Sequence, residues 1–271
     1  MTLTAIESRS SPDPRETRTR SRWGWPLARE ITIIAVGLVL YRLVRLLAMD
    51  ELDTALLNSQ RIVDWEQAIG IFNEVGLQSL VIGNDALIWV LNRYYFFGHF
   101  LGMAILLTWL YVAQYDYYGR VRRVLFTSTV AALIIHVSFP LAPPRWFPQH
   151  GFADTLQIYG PKIYDSETIA NTANQIAAMP SLHVGWALIA GWAITASTKS
   201  RWRWLGYAHP IAMTLAVVVT ANHWWLDVVG AVALVYVAIL ADRPIQRRLE
   251  RRKQQHLAEL AETASHSSIT S

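Results

Sequence analysis

Two histidines and an aspartate stand at spacings that suit phosphoryl transfer. Asp227 follows His223 by four residues in Ala221-Asn222-His223-Trp224-Trp225-Leu226-Asp227, which puts both side chains on one face of a helix that begins by His223. The carboxylate can then accept one imidazole N–H, fix the tautomer and leave the other nitrogen's lone pair pointing outward, as a nucleophilic histidine requires. His183 stands in Met179-Pro180-Ser181-Leu182-His183, where Pro180 suits the first turn of a helix because its missing N–H costs nothing there. Ser181 and the first-turn N–H groups could bind phosphate oxygens with help from the helix dipole, and His183 in the same turn could protonate a leaving oxygen. Arg145, in Ala142-Pro143-Pro144-Arg145-Trp146-Phe147-Pro148, could neutralise charge that builds during transfer.

The elements that must hold these residues are apolar helices. Of the 271 residues 53% are hydrophobic and only 16% charged, against about 25% charged in an ordinary soluble domain. Six stretches approach the roughly 20 residues of a spanning helix: Ile31 to Met49, Phe96 to Gln114, Val124 to Leu141, Leu182 to Thr198, Leu205 to Ala221 and Trp224 to Ala241. A shorter one, Leu77 to Leu91, carries Asn84 and Asp85 at its middle and reads as a re-entrant or interfacial helix. The expected fold is therefore all-α, a polytopic membrane bundle of six transmembrane helices plus interfacial or re-entrant helices between the first and second spans.

Charge orients that bundle. The net charge is +4 and the pI near 9.4, but the basic residues sit at the ends of apolar blocks, as topology signals do, and form no nucleic-acid-binding face. Most of them fall in the N-terminal tail, around Arg120 to Arg123, around Lys199 to Arg203, and in Arg243 to Lys253, whereas Asp50 to Arg93 is acidic. Both termini and these basic clusters are expected in the cytoplasm, and Arg145, Ser181, His183, His223 and Asp227 at the extracytoplasmic face, in the plasma membrane. Residues 1–28 read as a disordered tail, 29–242 as the catalytic membrane domain and 243–271 as a basic tail. Its run Arg243 to Lys253 should extend the last helix beside anionic headgroups, and the residues after it should have little structure. The absence of cysteine removes thiolate nucleophiles and thiolate metal sites.

The Pro180-Ser181-Leu182-His183 element followed by His223-Trp224-Trp225-Leu226-Asp227 resembles the type 2 phosphatidic acid phosphatase superfamily, most closely its inositol phosphorylceramide synthase-like branch. The resemblance covers roughly Ile31 to Ala241. It implies a mechanism that needs no metal or other cofactor: His223 attacks phosphorus, Asp227 orients it and His183 protonates the leaving group. It implies a lipid phosphate or phospholipid substrate, with water or an alcohol as acceptor. Two departures stand out. Trp146 follows Arg145 where the common pattern has Pro, with no Lys shortly upstream, and Ala216, Val217 and Val218 replace a Ser-Arg pair ahead of His223. Arg42, Arg45, Arg93 and Lys162 are the candidates to supply the missing positive charge.

Other residues have plainer readings. His99, His136 and His209 suit packing or helix–helix hydrogen bonds, and Gly98 with Gly102 suits close helix contact. The tryptophans suit the interfacial belt, with Trp224 and Trp225 also candidates to wall a lipid site. Trp65, Ile69 and Phe72 mark the apolar stripe of an amphipathic helix on the outer leaflet, with Asp64, Glu66 and Glu74 off it. Two other activities fit single features: a serine protease using Ser181, or a haem-binding or transport protein using His183 and His223.

Overall fold

The computed structural model describes residues 25–47, 51–160 and 176–269. The segments 1–24, 48–50 and 161–175, with Lys162, lie outside them, as do the side chains of Arg42 and Arg45. Contacts divide the chain into Met1–Leu43 and Val44–Ser271. The first unit holds most of α1 (Trp25–Leu47), an apolar helix of 23 residues.

Among the described residues the regular structure of the second unit is helical but for one isolated bridge, Leu141 with Ala177: α2 (Leu52–Ala68), α3 (Glu74–Ser79), α4 (Asp85–Ala113), α5 (Tyr115–Ser138), α6 (Thr155–Tyr159), α7 (Leu182–Ser197), α8 (Ala208–Val219) and α9 (Trp225–Ile269). Among the described residues, three helices are long and apolar enough to cross a membrane: α4, α5 and Trp225–Glu259 of α9. Each of the other apolar stretches also coincides with a helix, but α7 has 16 residues and α8 only 12, preceded by the 3-10 turn Arg201–Tyr207. Helix α7 packs against α4, α5, α8 and α9, so its N-terminus, carrying His183, opens among its neighbours.

Close approach within this unit uses small residues. A side chain at Gly102 would stand 3.2 Å from Nε2 of His209, which lets His209 accept or donate to the Tyr94 hydroxyl at 2.6 Å. His136 likewise ties α5 to the chain entering α7, through Pro180 O at 3.0 Å. Both histidines act as the helix-linking groups expected of them.

Three expectations change, and one element gains a second face. Leu77 to Leu91 is not one helix: Gly83 takes φ 100° and Asn84 caps a new helix, its side chain accepting from Leu87 N, so the second apolar helix starts at Asp85 and runs 29 residues. An Asn cap starts a helix wherever the preceding residue can turn the chain. Of the stripe Trp65, Ile69, Phe72, expected on the outer leaflet, Trp65 and Ile69 are exposed, and the face that α2 packs against the protein instead carries buried Asn58, Ser59 and Glu66. Asn58 and Ser59 donate to Pro140 O and Ala142 O, because the partner surface is a backbone loop rich in free carbonyls rather than an apolar helix. At the C-terminus, α9 continues through the basic run to Ile269 with Pro244 inside it; Gln254, Gln255, Leu257, Ala258 and Glu259 are strong helix formers. Pro180 stands ahead of the cap of α7 rather than in its first turn.

Candidate active site

The start of α9 is shaped by Asp227. The helix begins at Trp225, two residues after His223, so the pair does not sit on a regular helical face as its spacing predicts. Instead Asp227 Oδ2 turns back, accepting from Trp224 N at 2.9 Å and from His223 Nδ1 at 3.1 Å. A carboxylate at the third helical position commonly reaches back to the cap's N–H in this way. The residue before the turn, Ala221, takes φ 54°, an arrangement that normally favours glycine. Its carbonyl accepts from Arg145 N at 2.9 Å.

With Asp227 holding Nδ1–H, the Nε2 lone pair of His223 faces His183 Nδ1 at 3.4 Å, the long end of the hydrogen-bonding range. His183 opens α7, whose cap is Ser181: its Oγ accepts from Val184 N at 3.3 Å and its N–H donates to Asp227 O at 3.2 Å. The two motifs are therefore joined through backbone as well as side chains. His223 and Asp227 are buried, which strengthens electrostatic interactions between them.

His183 is held by α4. Tyr95 stacks on its ring at a centroid distance of 4.3 Å and His99 lies against it at 4.1 Å. His99 Nδ1 pairs with Tyr95 O at 3.2 Å. Both lie in or beside the π-helical segment Tyr94–Gly98, whose widened turn sends Tyr94 to His209 and Tyr95 to His183. Such segments recur at functional sites.

Arg145 is buried. Its Nη1 donates to Asn222 Oδ1 at 2.6 Å and its Nε stands 3.6 Å from Asp154 Oδ2. Behind these, Asn222 Nδ2 donates to Thr220 Oγ1, Thr155 Oγ1 donates to both Thr220 O and Asn92 Oδ1, and Asn92 Nδ2 donates to Thr155 O. Arg93, by contrast, lies over the Trp89 ring of its own helix at 3.6 Å, which occupies it outside this network. Trp224 is fully buried against Phe72, Phe147 and Phe152 and donates to Ala142 O; it is core rather than interfacial belt.

Two residues with no sequence signal, Glu66 and Glu74, reach the same helix start. Glu66 Oε1 accepts from Leu226 N at 2.7 Å and Glu74 Oε1 from Trp225 N at 3.2 Å. Three successive N–H groups, of Trp224, Trp225 and Leu226, thus end on Asp227, Glu74 and Glu66. Burial above all, then the Glu74 carboxyl, push Glu66 up to about 9. Glu74 follows the acidic stretch as an ordinary solvated acid would, and only the chain's return brings it here.

The family model of the PAP2 superfamily matches residues 60–241, a span that contains all of these residues. The chain belongs to the PAP2 superfamily. No curated protein and no solved structure matches it. Membership suggests phosphatase or phosphotransferase activity on lipid phosphates, and the apolar helices suggest a membrane setting.

Proposed function

We propose that this PAP2 protein is a lipid phosphatase that hydrolyses a phosphate ester of a lipid at the extracytoplasmic face through a phosphohistidine on His223. The observation that carries the reading is the line Asp227, His223, His183, the first two buried and the third half-buried, in which the carboxylate holds Nδ1–H and Nε2 is aimed at the second imidazole. Phosphorus enters against Nε2; the N–P bond forms as the P–O bond to the lipid breaks, and His183 gives its proton to the departing oxygen. In-line displacement puts that oxygen on the far side of phosphorus from the nucleophile, so the 3.4 Å contact between the imidazoles opens as the phosphoryl group enters. Asp227 steadies the positive charge on His223. Water, giving its proton to His183, then attacks phosphorus, breaks the P–N bond and frees phosphate. An alcohol in place of water turns the same intermediate to transfer.

Arg145 meets the phosphoryl oxygens in this reading, with Ser181 as the cap that fixes the start of α7. Six spans with both termini in the cytoplasm put the site outside, following the charge of the loops. No metal takes part.

The test is turnover of lipid phosphates by purified protein in chelator. His223→Ala and Asp227→Asn should abolish release of phosphate, and His183→Ala should lower it about 10²- to 10⁴-fold. Vanadate should inhibit. Normal turnover by folded His223→Ala would refute the reading. Mass spectrometry of products with and without added alcohols separates hydrolysis from transfer.

A further inference from the structure

The carboxyls of Glu66 and Glu74 form an arrangement that the chemistry above does not use. Both residues are fully buried, and with both ionised neither Oε2 has a donor. Two buried carboxylates in contact cannot both hold a negative charge at low cost. One proton placed between them joins the two carboxyls in a hydrogen bond and leaves each Oε1 free to accept from the backbone of α9.

We propose that Glu66 and Glu74 act as positioning residues for the nucleophile, a proton-sharing pair with a single negative charge that clamps the first turn of α9 and so fixes Asp227 against His223. The proposal rests on His223 as the nucleophile.

Sequence distance makes the clamp informative. Glu66 ends α2 and Glu74 opens α3, and the intervening chain folds back so that Ile71 N and Phe72 N donate to Glu66 O. The two acids therefore arrive as one rigid unit. They take the N–H groups of Trp225 and Leu226, leaving Asp227 Oδ2 for Trp224 N and His223 Nδ1. Anionic charge beside a helix N-terminus is favourable, but two full charges next to Asp227 would repel it. One shared proton reconciles these demands.

Among the described residues, the groups facing the pair leave it no other counter-charge. From α9 and its entry come Asp227 and His223, which are paired with each other. From the segment packed along α2, Arg145 is engaged by Asp154 and Asn222, and His150 pairs with Gln60. Arg61 and Asp64 of α2 itself are exposed.

The experiment uses the full chain in detergent or nanodiscs. Glu66→Gln supplies permanently what the shared proton supplies, since its amide oxygen can accept from Leu226 N while its NH₂ donates to Glu74. We expect kcat at pH 7 within about threefold of wild type, whereas Glu66→Ala should lower kcat about 100-fold with KM within about twofold, the cost of a misplaced reacting group.

A second readout needs no turnover. A carboxyl raised when folded contributes stability that is complete below its unfolded pKa and is lost as pH rises towards the folded value. With Glu66 at about 9 against a model value of 4.5, melting temperature should decline between these limits more steeply in wild type than in Glu66→Gln. Equal slopes would overturn the shared proton, and unchanged kcat in folded Glu66→Ala would overturn the positioning role. Where Glu66→Ala does not fold, the slope of Glu66→Gln decides. Full turnover by His223→Ala would instead remove the nucleophile while leaving the slope to be read on its own.

Discussion

His99 and His183 lie ring against ring with centroids 4.1 Å apart, one from the middle of α4 and the other from the first turn of α7. The contact, with Tyr95 stacked on the His183 imidazole at 4.3 Å, fixes the ring that meets the leaving oxygen in the proposed mechanism. Replacing His99 by Ala should lower kcat about tenfold with little change in KM, because positioning rather than binding is lost. His99→Phe keeps the ring contact and should recover most of the rate; steady-state kinetics on a lipid phosphate checks both.

Arg145 should not tolerate lysine. Its Nη1 and Nε address Asn222 and Asp154 separately, a fork that a single ammonium cannot reproduce. Arg145→Lys should cut kcat/KM about tenfold or more, in line with about 1.5–3 kcal/mol for a hydrogen bond to a charged group. Asn222→Ala should do the same through a loosened guanidinium, and titration with vanadate should show both defects as weaker inhibition.

Further along α9, near its middle, Asp242 is buried between two arginines, 3.1 Å from Arg120 Nε and 2.7 Å from Arg123 Nε. Asp242→Ala takes the carboxylate from both guanidinium groups, leaving Arg123 its bond to Gln246, and should cost about 1.5–3 kcal/mol, as for a hydrogen bond to a charged group. The expected outcome is a lower melting temperature with KM unchanged in the fraction that remains folded, since no residue of the site is touched.

Ala221 tests the turn that launches His223. At φ 54° and fully buried, it accepts neither a branched side chain nor extra volume, and Ala221→Val should destabilise by about 2 kcal/mol or more. Ala221→Gly exchanges relief of backbone strain for the loss of one packed methyl and should melt close to wild type. A thermal scan of the two variants side by side separates backbone from volume.

How much of this was legible in the sequence depends on whether the relevant partners are local. His223 and Asp227, four apart, and Ser181 with His183 at a helix start could be read because caps and short spacings act within one turn; the structure alters only how Asp227 reaches His223. Hydropathy located the apolar helices but misjudged Leu77 to Leu91, where Gly83, Asn84 and Asp85 together spelled a turn and a cap that averaging over a window conceals. Glu66 and Glu74 lay in an acidic stretch whose default is solvation, and nothing near them announces a partner more than 150 residues away. His99 carried no more signal than His136 or His209, which do link helices; only packing of α4 on α7 separates them. Asn222 and Asp154 were silent for the same reason.

The π-helical segment Tyr94–Gly98 has a consequence for how α4 tolerates change in length. An α-helix advances about 100° per residue, and a turn closed five residues apart absorbs one residue more than its neighbours. The stretch before the segment and the stretch after it are therefore two helices set out of phase on one axis. Asn92 is aimed by the first and His99 by the second. Deleting a single residue between 94 and 98 would leave a regular, equally apolar rod in which those two side chains could no longer both find Thr155 and His183. Beyond the contacts of Tyr94 and Tyr95, what the five residues supply is angular phase.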